Sequence, residues 1–169
     1  RGESRTGVDE LIALAGMARL ADQITSHQER IIKGATRLSR LHVGDVMIPV
    51  QHVHFLSSSM DLPQALVAAH LEAHTRFPVR EDNDSDRVIG YVNFKEMVYF
   101  MRTNPNDASL AGIIRPLHHA APEDSAADLL RLFIEQHVHI ALVSDPQGRT
   151  LGIVALEDLV EELVGEIED

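Results

Sequence analysis

Apolar and polar positions along this chain follow two periods, and the order in which they alternate repeats. From Val8 to Leu38 apolar and charged residues interleave at helical spacing. That stretch predicts two helices broken over Asp22 to Ser26, with Ser26 placed to cap the second. Helical spacing returns over Asp61 to Ala73 and over Ser125 to Gln136, where Leu129, Leu130 and Phe133 share a face and Ser125 with Asp128 forms a capping-box variant. A short apolar strand follows each, His74 to Val79 and His137 to Leu142, ahead of an acidic turn bearing glycine or asparagine.

The second half copies the first. Val88 to Val98 matches Thr150 to Val160 in pattern, with Gly90 and Gly152 62 residues apart, and in each copy a short strand runs directly into an acid-containing amphipathic helix. A turn-forming proline heads each copy, Met47-Ile48-Pro49 and Ile114-Arg115-Pro116. Each copy reads strand, helix, strand, strand, helix over about 60 residues, too few to bury its own sheet face well. The expected fold is therefore α+β (α/β): two tandem βαββα repeats packed pseudo-symmetrically, with residues 1–40 as a helical linker, 41–104 as the first repeat and 105–169 as the second.

Composition narrows the functional classes. Hydrophobic residues are 44% and aromatics 4%, so aliphatic side chains must fill the core. The formal charge of −11 disfavours a nucleic-acid partner, whose affinity comes from Lys and Arg displacing counterions. Without cysteine there is no disulfide, thiolate zinc site or cysteine nucleophile. No apolar run approaches the roughly 18 residues of a membrane span, so the fragment is expected to be soluble, and its start at Arg1-Gly2-Glu3 reads as a piece of something longer.

At these motifs the sequence resembles CBS-domain pairs, and among them the CorC/HlyC (hemolysin-like) and CNNM family of magnesium- and cobalt-linked membrane proteins. The resemblance is carried by Val46-Met47-Ile48-Pro49, Thr75-Arg76-Phe77-Pro78-Val79, Gly90 to Glu96, His139-Ile140-Ala141-Leu142-Val143 and Gly152 to Ile167, and it covers residues 8–169. It implies a cytoplasmic regulatory module on the inner face of a bacterial membrane, following a multi-pass transmembrane domain that moves divalent cations. It further implies an adenine nucleotide ligand, AMP or ATP with Mg²⁺, no redox cofactor, and a homodimer formed through the repeats. The alternative is a ligand-free scaffold that only dimerises the transporter.

The implied nucleotide site comprises Ile48, Pro49, His74, Thr75, Arg76, Phe77, Pro78, Val154, Ala155 and Asp158. A helix starting after Val154 favours phosphate through its unpaired N–H groups. Asp158 in its first turn has the chemistry to accept both ribose hydroxyls, as an acid does in dinucleotide sites, or simply complements the helix dipole. Arg76 can clamp phosphate oxygens or pair with Asp82 or Asp84, and His74 can stack on adenine or pack at a helix end. A secondary site is expected at Asn93, Glu96, Arg115 and His139. Two residues depart from the family pattern. Ile48 and Ala155 stand where threonine is usual, and losing two neutral hydrogen bonds of about 0.5–1.5 kcal/mol each weakens binding roughly 5- to 150-fold.

Other chemistry finds less support. The spacings His70/His74, His52/His54 and His137/His139 invite a metal site, but no third acidic ligand stands beside them and no H-E-x-x-H occurs, so no metal site is expected. The tail Glu157 to Asp169 carries seven carboxylates and reads as a solvated acidic helix face, with Mg²⁺ expected only alongside a nucleotide. With neither a G-x-S-x-G nucleophile nor a P-loop, the chain is not expected to be an enzyme.

Overall fold

The computed structural model describes residues 3–165, the side chains of residues 3–6 excepted. Its helices are α1 (Glu3–Leu20), α2 (Ser26–Leu38), α3 (Val43–Val46), α4 (Leu62–Glu72), α5 (Phe94–Thr103), α6 (Ala126–Gln136) and α7 (Leu156–Val164). Its strands are β1 (Ile48–Pro49), β2 (Leu56–Ser57), β3 (Arg76–Arg80), β4 (Val88–Asn93), β5 (His118–Ala120), β6 (Ile140–Ser144) and β7 (Thr150–Ala155). The order β2-α4-β3-β4-α5 recurs as β5-α6-β6-β7-α7, which is the repeated βαββα pattern.

The helix starts are set by side chains that satisfy orphan N–H groups. At α2 the cap is Thr25 and not Ser26, which is the first helical residue. The Thr25 hydroxyl accepts the Gln28 N–H at 3.1 Å while the Gln28 side chain accepts the Thr25 N–H at 2.9 Å. Ser26 has no such option, because Glu29, three residues on, is held by Arg19 and by Lys33 at 3.0 Å. Asp61 and Gln64 form the same reciprocal box at α4. Ser125 caps α6 by accepting the Asp128 N–H at 3.3 Å, but the box expected there is half made, since Asp128 turns to Arg131 at 3.1 Å.

The described residues gather into two compact units that do not follow chain order. The first contains α1, α2, α3, α6 and α7. The predicted stripe of α6, Leu129, Leu130 and Phe133, is buried there, as is Leu159 of α7. α2 lies along α7, where the Arg37 guanidinium donates to the Glu162 carbonyl at 2.6 Å. The buried Glu29 carboxylate ties α1 to α2. Its hydrogen bond to Lys33 holds its pKa below the ordinary value, burial opposes this, and the Arg19 charge adds to it. The acidic face of α7 is described through Glu162, and residues 166–169 of the predicted tail lie outside the described residues.

The second unit, Met47–Pro122 with Ile140–Ile153, holds the strands, β7 as far as Ile153. One sheet runs β2-β3-β4, with β2 parallel and β4 antiparallel to β3. Its core is aliphatic as expected, Leu56, Leu62, Val79, Val92 and Met97 around Phe77. The other sheet runs β1-β7-β6-β5, so the head of the first copy completes the sheet of the second through Ile48 opposite Ile153 and Pro49 opposite Gly152. The exchange is mutual, because Arg115, at the head of the second copy, bridges Tyr91 of β4.

Both crossings need glycine. A Cβ on Gly152 would lie 2.1 Å from the Ile48 carbonyl oxygen, and one on Gly90 would lie 2.4 Å from that of Arg115. Neither neighbour can yield without the strands parting, since each is backbone. Gly152→Ala is therefore expected to cost about 1–3 kcal/mol as an overpacked contact. Urea unfolding measures it, and an unchanged midpoint would show that β1 is not bound where the register places it.

Candidate functional site

The acidic helix start of the second copy belongs to the first unit. β7 ends in extended conformation at Ala155, which serves as the N-cap of α7 and has no side-chain acceptor for the first-turn amides. Asp158 occupies the third helical position, and its carboxylate turns back to accept the Ala155 N–H at 3.0 Å. Val154 is buried, and the Leu156 N–H donates to the His139 carbonyl at 2.9 Å. Asp158 thus borders a helix start without a hydroxyl cap, as the sequence placed it.

The remaining residues of the expected site stand in the second unit. Ile48 and Pro49 are β1, half-buried against β7. Arg76 opens β3 opposite Asn93, and the carbonyl of Thr75 accepts the Phe94 N–H at 2.8 Å, so this segment is fastened to the start of α5. Phe77 is 1% exposed and Pro78 is fully buried, both in the core. As ligand contacts these two are limited to backbone atoms, because their side chains already fill the space under β3.

His74 is exposed just past α4, its ring edge-on to Phe77 at 6.0 Å and 5.4 Å from the ring of His54. His54 in turn lies 3.2 Å from the Glu72 carboxylate. The sequence reading missed His54 and Glu72 as neighbours of His74. Its only signal was the His52/His54 spacing, which it weighed as a metal motif.

The histidine spacings themselves do not survive in three dimensions. Ala73 adopts φ 53°, which ends α4 and takes His74 off the helix, so His70 and His74 are not one turn apart on a helix face. His52 closes a 3₁₀ turn and His137 is a left-handed helix cap, so neither pair lies along a strand. Among the described residues no group of three or more His, Asp or Glu side chains is arranged to hold a metal.

In the first copy the equivalents of Ala155 and Asp158 are Asn93 and Glu96. Asn93 does cap its helix, accepting the Lys95 N–H at 2.9 Å. Glu96 forms a two-pronged pair with Arg115, whose Nε donates at 2.9 Å and whose second nitrogen bonds the other carboxylate oxygen. Glu96 holds the Arg115 guanidinium more firmly protonated than usual, chiefly through that hydrogen bond. The pair borders a cavity of about 340 Å³ lined by Tyr99, Phe100, Gly112, Ile113 and Ile114. Of the expected secondary site, Asn93, Glu96 and Arg115 thus share the second unit, while His139 belongs to the first.

Comparison with known proteins identifies the family. The CBS domain family model matches residues 109–165. The magnesium and cobalt efflux protein CorC of Pasteurella multocida is 31% identical over 162 residues, 95% of this chain and 53% of that protein. The CBS domain of the bacterial CNNM/CorC family Mg²⁺ transporter superposes with a TM-score of 0.83 at 27% identity, over 95% of this chain and 98% of that one. The chain belongs to the CBS-domain proteins of the CNNM/CorC family. It spans about half the length of the curated relatives it matches. A CBS domain of the same description in complex with ATP superposes at TM-score 0.75 and 27% identity, over 83% of this chain and 99% of that one. Among the described residues of this CNNM/CorC chain, no helix is long and apolar enough to cross a membrane.

The two CBS copies differ most simply at their helix caps, and the difference is measurable. Asn93→Ala removes a side-chain cap and is expected to destabilise by about 0.5–2 kcal/mol, whereas Ala155→Thr supplies one and is expected to stabilise by a similar amount. Chemical denaturation gives both values. Equal effects of the same sign would contradict the capping geometry.

Proposed function

We propose that this chain is the regulatory, non-catalytic module of a divalent-cation membrane transporter, placed at the cytoplasmic face and working as a homodimer that binds an adenine nucleotide. The observation that carries the ligand is the related CNNM/CorC CBS domain solved with ATP, whose chain is matched over 99% of its length. Asp158 takes the ribose hydroxyls. Mg²⁺ comes with the ATP phosphates, as a hard cation that keeps water and phosphate oxygens as ligands; AMP is the metal-free alternative. Regulation requires that nucleotide prefer one of two arrangements of the attached transporter. The homodimer is supported by an apolar groove of about 290 Å³ on α4, where Val67 and Leu71 are 64% and 76% exposed beside Leu66, His70 and Phe94.

A second reading, the scaffold without ligand, is favoured by Ile48 and Ala155, which remove two hydroxyls from the family's motif. Calorimetry with Mg-ATP and AMP separates the two. The sensor reading predicts saturable heat that Asp158→Asn weakens about 10- to 150-fold, the loss of hydrogen bonds to a charged group worth about 1.5–3 kcal/mol. Folded protein that gives no heat at millimolar nucleotide, yet binds once Ile48→Thr and Ala155→Thr are combined, is the scaffold. Light scattering on the same samples is expected to give two chains per particle and one for Leu71→Glu; a wild-type monomer at every concentration refutes the dimer.

A further inference from the structure

α7 is a helix whose own residues give it little support. It has nine residues, and isolated helices shorter than about 12–15 residues are marginal in water. Its N-cap, Ala155, has no side-chain acceptor, and of its side chains only Leu159 is fully buried. Its last carbonyls are satisfied in turn. That of Glu161 accepts the Gly165 N–H at 2.8 Å, and the next two meet α2. The Glu162 carbonyl accepts the Arg37 guanidinium at 2.6 Å, and the Leu163 carbonyl lies where a Cβ on Gly34 would stand. Backbone against backbone leaves no side chain to adjust, so the helical end of α7 and the docking of α2 require each other. α2 in turn holds α1, because Glu29 engages Arg19. All of these residues belong to the first unit, and Asp158 stands five residues, about 7.5 Å of helix axis, before Leu163.

We propose that Gly34 and Arg37 are positioning residues for the nucleotide site: the form of α7 that α2 grips is the form that binds, so docking of α2 and binding of nucleotide strengthen each other. The proposal rests on the reading of Asp158 as the ribose acceptor. A ribose diol needs that carboxylate held in one place on an ordered first turn, and α2 supplies the order from the other end of the same short helix. Such linkage is reciprocal: whatever factor α2 docking adds to nucleotide affinity, nucleotide adds to α2 docking, with no contact between Gly34 or Arg37 and the ligand required.

Amide hydrogen exchange of the full chain, with and without Mg-ATP, reads the coupling. At a hundred times Kd, a ligand held only by the docked form slows opening about 100-fold. The coupling predicts that factor for the amides of Ala35 to Leu38 in α2 as well as for those of Leu159 to Leu163 in α7. Gly34→Ala, whose methyl has no place beside the Leu163 carbonyl, is expected to abolish the response of α2 and to weaken nucleotide binding about 5- to 150-fold, the usual range of a coupling between sites. An α2 that ignores nucleotide while α7 slows, or a folded Gly34→Ala chain that binds as tightly as wild type, overturns the proposal. If Gly34→Ala does not fold, Arg37→Ala decides: α7 amides that exchange faster together with those of α2 uphold it, and α7 amides left unchanged overturn it. A wild type that binds no nucleotide fails the functional reading separately. The coupling is then judged by Ala155→Thr, which caps α7 at its start, upheld if α2 slows along with α7 and overturned if α2 is unchanged.

Discussion

The contact on which the rest depends is the close crossing of backbone over glycine, made once in each copy. A two-residue strand has few hydrogen bonds of its own, and an isolated pair of such strands is marginal in water. β1 is bound because Gly152 lets the carbonyl of Ile48 approach where any Cβ would stand, and Arg115 is bound because Gly90 does the same. Each copy therefore lends its head to the other's sheet, and the hydrophobic cluster of Ile140, Leu142 and Ile153 is closed by Ile48, Val88 and Tyr91 from the first copy. Neither βαββα copy has its complete set of backbone partners without the other.

That exchange also sets the chemistry at the helix start of the first copy. Strand and helix are fused without a loop at Asn93-Phe94 and at Ala155-Leu156, so each acid falls three residues past the end of its strand. In the first copy the exchanged head brings the Arg115 guanidinium to the Glu96 carboxylate.

Much of this was legible in the sequence because it depends on period and spacing. The matching segments around Gly90 and Gly152, the stripe of Leu129, Leu130 and Phe133, and the cap Ser125 are local signals, and each element formed where they place it. The failures have local causes too. Ser26 lost the cap to Thr25 because only Thr25 has an unoccupied partner three residues on, and Glu29 is drawn away by Arg19 from a different helix. His70 and His74 were placed on one helix face because periodicity does not reveal that Ala73 turns left-handed. The pairing of Arg115 with Glu96, and the approach of His54 to His74, join residues 19 and 20 positions apart through the fold and have no periodic signature.

The mutual exchange is tested most directly by native-state hydrogen exchange at rising denaturant, following the slowest amides of β3 and β4 against those of β6 and β7. If each copy completes the other, both sets open with one shared free energy and one denaturant dependence, as a single cooperative unit does. Two opening free energies, with one sheet surviving while the other exchanges, would contradict the account.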